Sequence, residues 1–165
     1  MGKILVIVES PGKIKKITSI LGDEYLVKAS VGHIRNLNPK NLSIDVENNF
    51  KPEYIIIPDK KKVVADLRRC VKSCSSVILA ADEDREGEAI AASLVDVLKL
   101  KNPKRIVFNA ITKTAILNAL KNPGKVDQKL VDAQKTRMIL DKIVGYRLSP
   151  LLWQNIAHGL SGGRV

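Results

Sequence analysis

Two short apolar runs, residues 4–8 (Ile-Leu-Val-Ile-Val) and 77–81 (Val-Ile-Leu-Ala-Ala), each end directly in an acid, Glu9 and Asp82, and then pass into a helical pattern. Unbroken apolar runs of roughly four to eight residues suit strands that are covered on both faces of a sheet. Further strands are predicted at residues 25–31, 54–57 and 105–108, and helices at 13–21, 60–72, 87–100 and 112–120. Strands separated by helices predict an α/β fold: a parallel sheet with helices on both faces. Ligands of such sheets bind beyond the carboxyl ends of the strands, where Glu9 and Asp82 both fall. No Gly-x-Gly-x-x-Gly and no Gly-x-x-x-x-Gly-Lys-Ser/Thr occurs, which argues against dinucleotide and P-loop sites.

The second acid opens a cluster, Asp82-Glu83-Asp84-Arg85-Glu86-Gly87-Glu88, after which Ile90, Leu94 and Val97 recur with helical spacing. If residues 82–86 are extended, Asp82, Asp84 and Glu86 lie on one side, with Glu83 and Arg85 opposite. Three converging carboxylates repel, and a hard divalent cation with oxygen ligands, Mg²⁺ above all, relieves that repulsion. On this picture, removing Asp82 and Asp84 raises the metal-free stability. The competing explanation is that acids at a helix start complement its dipole, at about 0.3–1 kcal/mol each. That accounts for Glu86 and Glu88, but not for Asp82 and Asp84 directly after a buried strand. Lys13, at the head of the first helix, could counter a phosphate. His33 and Arg35, next to Gly32, could reach phosphate or the carboxylates. Residues 36–52, rich in Asn and Pro, read as an irregular surface excursion without assigned chemistry.

Charge identifies the partner class. The 165 residues carry 28 Lys and Arg against 17 Asp and Glu, a net charge of +11, with a pI near 9.7. Such an excess attracts polyanions, nucleic acid first among them. At 4% aromatic content, contacts to phosphate should outweigh base stacking. No apolar run approaches the ~18–20 residues that span a membrane. The run at 4–8 is too short for a secretory signal, so an intracellular protein is expected. Cys70 and Cys74 have no further ligand nearby and are expected to be reduced thiols.

The sequence Asn122-Pro123-Gly124-Lys125 punctuates the chain and divides it into an α/β domain, 1–124, and the start of a helical domain, 125–165. Residues 127–148 read as one long helix with Asp127 as its N-cap. Ile139, Leu140, Ile143 and Val144 form its apolar face, while Gln134, Arg137 and Asp141 form a polar stripe, either solvated or facing a partner. Ser149-Pro150 is expected to break it, with a new helix starting at Leu151. The glycine-rich end looks cut.

Several stretches together resemble type IA DNA topoisomerases. They are Val8-Glu9-Ser10-Pro11-Gly12-Lys13; Gly32-His33-Ile34-Arg35-Asn36-Leu37; the acidic cluster, similar to the Asp-x-Asp-x-Glu-Gly signature of the Toprim fold; Ile111-Thr112-Lys113; Leu130-Val131-Asp132-Ala133-Gln134; Leu140-Asp141; Gly145-Tyr146; and Ser149-Pro150-Leu151-Leu152-Trp153 on to Gly159-Leu160-Ser161-Gly162-Gly163-Arg164-Val165. Ala110 and Gly162 depart from residues common in that family. The resemblance implies a Toprim (Rossmann-like) sheet followed by a helical segment. It also implies a monomeric, DNA-associated enzyme that breaks, passes and reseals single DNA strands with Mg²⁺ and without ATP. Asp82, Asp84, Glu86 and Glu9 would hold the ion. Glu9 would exchange a proton at the 3′ oxygen, Lys13 would stabilise the phosphate, and His33, Arg35, Arg137 and Arg164 would contact single-stranded regions of negatively supercoiled DNA. The family's nucleophilic tyrosine lies in a later domain, and Tyr25, Tyr54 and Tyr146 do not match its motif, so this chain alone is expected to be inactive. A stand-alone Toprim nuclease using the same acids, or a non-catalytic nucleic-acid-binding module, are the competing readings.

Overall fold

The computed structural model describes residues 2–162. Four parallel strands form the central sheet: β1 (Ile4–Val8), β2 (Tyr25–Ala29), β7 (Ser76–Ala80) and β8 (Lys104–Arg105), in the order β2-β1-β7-β8. Alternation along the strands divides the core into two layers. Leu5, Ile7 and Leu79 point to one face and pack on Val64 and Leu67 of α2 (Lys61–Ser73) and on Ile90, Ala91 and Leu94 of α3 (Arg85–Leu98). Val6, Val8, Val27, Ile78 and Ala80 point to the other, against Ile17 of α1 (Ile14–Leu21) and Ile116 of α4 (Lys113–Lys121). β1 is apolar throughout because it is buried on both faces, β7 is apolar from Val77 on, and β2 admits Lys28, whose ammonium pairs with Asp66. Cys70 lies within the first layer, where burial pushes its thiol pKa up.

The run at 54–57 does not join this sheet. Its strand, β6 (Tyr54–Ile56), pairs antiparallel with β3 (Arg35–Leu37), and the excursion between them carries a second small pair, β4 (Ile44–Asp45) with β5 (Lys51–Pro52). Val31 and Gly32 turn the chain away from the main sheet with φ of 58° and 75°, so β2 stops at Ala29 rather than at 31. A β-branched residue rarely adopts that left-handed region. Lys60 Nζ donates to Val31 O at 2.7 Å and Gly32 N to Glu9 O at 3.0 Å, holding the turn against the end of β1. The strand expected at 105–108 shortens to β8, since only Lys104 and Arg105 find ladder partners on β7.

The largest correction concerns the last helix. α5 (Gln128–Asn155) runs without a break through Ser149 and Pro150. Proline removes one ladder donor, whose bond would have ended on the carbonyl of Tyr146. Tyr146 is exposed, so water can take that carbonyl's hydrogen bond. Asp127 caps the helix as the sequence suggests, its Oδ1 accepting from Lys129 N at 2.8 Å and Leu130 N at 3.4 Å. α5 packs along α3, yet Leu140 and Val144 of its expected apolar face remain exposed.

Candidate metal centre

The acid-bearing loops meet because β1 and β7 are neighbours in register, Val8 beside Ala80. Glu9 and the Asp82 cluster therefore leave the same edge of the sheet. From the β1 side, Pro11–Lys13 forms a single 3-10 turn capped by Ser10, which puts Lys13 over the crevice, and its ammonium donates to Asp82 Oδ1. Glu9 itself is half-buried at the strand end.

Residues 82–86 are not the extended segment that alternation suggested. Asp84 is the N-cap of α3, and its Oδ1 accepts from Gly87 N at 2.7 Å. The free N–H groups of a helix start draw an acid at that place. The helix therefore begins at Arg85, and Glu86 lies in its first turn. Gly87 makes this bend possible, because a Cβ there would lie 2.3 Å from Asp82 O and 2.9 Å from Asp82 N.

The acids thus diverge toward different partners. Asp82 meets Lys13 and Asp84 meets the helix start. Glu86 accepts from Gln134 Nε2 of α5 at 2.8 Å, and its other oxygen lies 2.9 Å from His33 Nε2. Among the described residues, no three His, Cys, Asp or Glu side chains are grouped to hold a metal as they stand. The expectation that Asp82, Asp84 and Glu86 converge along one extended face is therefore overturned, because capping and pairing with donors relieve their repulsion. The donor chemistry nonetheless fits a hard cation. The acids offer carboxylate oxygens, and among the described residues Gln134 Oε1, beside Glu86, is a buried oxygen with no hydrogen-bond partner.

Two cavities flank the turn. One, of about 630 Å³, is lined by Lys13, Asp82, Asp84 and residues 108–111. The other, of about 470 Å³, lies between the β3–β6 pair, α3 and α5, with His33, Arg35, Tyr54 and Gln134 on its walls. Arg35 is largely committed within the protein. Nε donates to Ser93 Oγ at 3.1 Å, Nη2 to Asp96 Oδ2 at 2.7 Å, and the guanidinium lies 4.4 Å above the Tyr54 ring. The Tyr54 pKa is raised by burial, with Arg35 pulling the other way. Arg137 is three residues beyond Gln134 on α5, so the two share a face. Arg164 falls outside the described residues.

Three residues of the site escaped the sequence reading. Gln134 was one member of an ambiguous stripe, and its contact with Glu86 joins α5 to the acidic turn. Arg105 and Glu88 form a buried ion pair, Nη2 to Oε1 at 2.7 Å, directly behind Asp82. The available signal was a lone arginine at the head of an apolar strand, since a cation there needs a buried carboxylate.

Comparison with known proteins agrees with this architecture. The family model described as the Toprim domain matches residues 4–111. This chain belongs to the Toprim family. Domains of this family generally bind metal. The Toprim chain is 58% identical over 162 residues to "DNA topoisomerase 1 type prokaryotic" of Acanthamoeba polyphaga mimivirus, covering 98% of the chain and 19% of that protein. It is 52% identical over 176 residues to DNA topoisomerase 1 of Synechococcus elongatus, at 98% and 20% coverage. Full-length topoisomerase I from Thermotoga maritima superposes with a TM-score of 0.87 at 48% identity, over 96% of this Toprim chain and 27% of that one. The chain thus spans about a fifth of the length of these curated relatives. No helix among the described residues is long and apolar enough to cross a membrane.

Proposed function

We propose that this chain is the metal-holding part of a type IA DNA topoisomerase, which breaks, passes and reseals single strands of DNA without ATP. One observation carries the reading: adjacent parallel strands bring Glu9 and the Asp82 cluster out at the same edge of the sheet in a strongly basic chain, where Lys13 pairs with Asp82. The similarity to proteins named DNA topoisomerase 1 along 98% of the chain supports it. The division at residue 124, with α5 beginning a helical DNA-binding domain, belongs to the same proposal, as do a monomeric state and an intracellular, DNA-associated location.

Asp82, Asp84, Glu86 and Glu9 would hold Mg²⁺, with Lys13 giving up Asp82 as the cation binds. Bound there, the ion supplies positive charge to the phosphate oxygens and holds the broken ends together. Lys13, at the head of the first helix, would face the phosphate and stabilise its developing charge. Glu9, at the carboxyl end of β1 beside β7, would take or return the proton of the 3′ hydroxyl. His33 orients Glu86 and, with Arg35 and Arg137, lines the approach of the strand backbone; Arg164 is proposed as a further phosphate contact. Tyr25, Tyr54 and Tyr146 do not match the motif of the family's nucleophile, and on this reading the chain alone is inactive.

The test is a plasmid assay with negatively supercoiled DNA and Mg²⁺, with and without a separately expressed downstream region of a relative that carries its nucleophilic tyrosine. A ladder of relaxed topoisomers only when both pieces are present is the expected result. Nicked or linear plasmid from this chain alone would replace the proposal with a Toprim nuclease.

A further inference from the structure

Arg105 is 2% exposed and Glu88 is 4% exposed, although a buried ion pair contributes little to stability once its desolvation is counted. Their contacts show another use. Arg105 Nη1 donates to Ala81 O at 2.7 Å and Nη2 to Asp82 O at 2.8 Å, while Nε donates to Glu88 Oε1 at 2.8 Å. β7 ends at Ala80, so the carbonyls of Ala81 and Asp82 lie past the strand that carries them, and the guanidinium supplies their donors. Gly87 lies against the same stretch of main chain, so close that a Cβ there would stand 2.3 Å from Asp82 O. The backbone from which the Asp82 carboxylate projects is therefore gripped twice.

The pair also reaches the helix that closes the site. Glu88 Oε2 accepts from Asp127 N, the N-cap of α5, at 2.9 Å. The main chain of Arg105 exchanges two hydrogen bonds with Gly124, at 3.1 and 2.8 Å. α5 in turn brings Gln134 to Glu86.

We propose that Arg105 and Glu88 are positioning residues that lock the acid-bearing end of β7 and the start of α5 into one fixed relation, so that the site's oxygens are pre-arranged for a divalent cation. The inference rests on the cation-site reading above for its purpose, but not for the clamp itself. Lysine cannot replace Arg105, because its ammonium has no planar fork with which to hold two carbonyls and a carboxylate together.

The test uses the whole chain with Mn²⁺ as the probe, in the double variant Arg105→Met with Glu88→Leu. Replacing both partners leaves no unpaired buried charge, but the Ala81 and Asp82 carbonyls and the Asp127 N–H lose their partners, so the double variant should fold and melt below the parent. Its Mn²⁺ affinity should fall about 10- to 100-fold, the usual effect of losing a group that orients metal ligands. Amide hydrogen exchange should also quicken, at residues 81–87 and at the start of α5 together. Parent-like affinity and unchanged exchange in a folded double variant would overturn the proposal. Should the double variant not fold, Arg105→Lys, which keeps the charge, is read by the same two measurements and the same criteria. If the parent itself binds no Mn²⁺, the cation-site reading fails, and the exchange measurement alone decides whether the clamp exists.

Discussion

Gly87→Ala separates the local rule from the tertiary one. Position 87 lies inside α3, where alanine should stabilise by about 1 kcal/mol through helix propensity. The added methyl, however, would stand 2.3, 2.9 and 3.0 Å from the O, N and C atoms of Asp82. All three are main-chain atoms, and Arg105 and the end of β7 hold that peptide in place, so no flexible side chain can yield. Forced overpacking of this kind costs up to about 3 kcal/mol. The clash wins by about 2 kcal/mol, which for a chain of this size lowers Tm by about 4–8 °C. Differential scanning calorimetry and urea titration on the parent and variant measure the difference, with unchanged m-values showing that the same two states are compared. The displaced Asp82 should also bind Mn²⁺ more weakly. A Tm equal to or above the parent's would refute the reasoning, because it would mean that the turn relaxes freely and that glycine is not needed for its shape.

The capping geometry reverses the expectation drawn from crowded acids: Asp84→Ala should lower metal-free stability by about 1 kcal/mol, the usual loss for an N-cap, as read by thermal melting without metal. Arg137→Ala should reduce the salt dependence of single-stranded DNA binding by about one unit of slope, whereas Arg35→Ala should mainly lower Tm, because the Arg35 side chain holds Ser93, Asp96 and Tyr54 together; fluorescence anisotropy over a range of salt concentrations distinguishes them. The Lys28–Asp66 pair sets a pH window. Its hydrogen bond holds Asp66 below its ordinary 3.8 and Lys28 above its ordinary 10.5. The stability from Asp66 is present above its unfolded pKa and lost as pH falls through the lowered value, while that from Lys28 is lost as pH rises through its raised value. The Tm gap between parent and Asp66→Asn should therefore be flat between those limits and close beyond both. It should also be small, because both side chains are more than a third exposed and solvent screens the pair.

What the sequence made legible was whatever depends on period and on short range. The apolar runs at 4–8 and 77–81 became adjacent central strands, and their acidic ends left the same edge of the sheet, because a doubly buried strand announces itself by composition. The run at 54–57 announced a strand equally well, but not its partner: pairing with β3 is decided by the turn at Val31 and Gly32, which swings the chain off the sheet. Pro150 shows the same limit in a helix, where a local rule yields once the freed carbonyl can reach water.

The acids show why position can be read from a sequence and partnership cannot. Asp82, Asp84, Glu86 and Glu88 fall within seven residues, and alternation treats them as one set, yet the fold assigns each a different donor: an ammonium, a helix start, an imidazole with an amide, and a guanidinium. Those donors come from residues 13, 87, 33, 134 and 105, and all but one are distant in sequence. The assignment also sorts the acids by exposure. Glu88, held by the planar guanidinium of Arg105, is buried and fixed. The Asp82 side chain is half exposed and paired with a lysine on a flexible stem, so a cation arriving from the open cavity meets a partner that can move aside. The pair that cannot open therefore serves to place the pair that can.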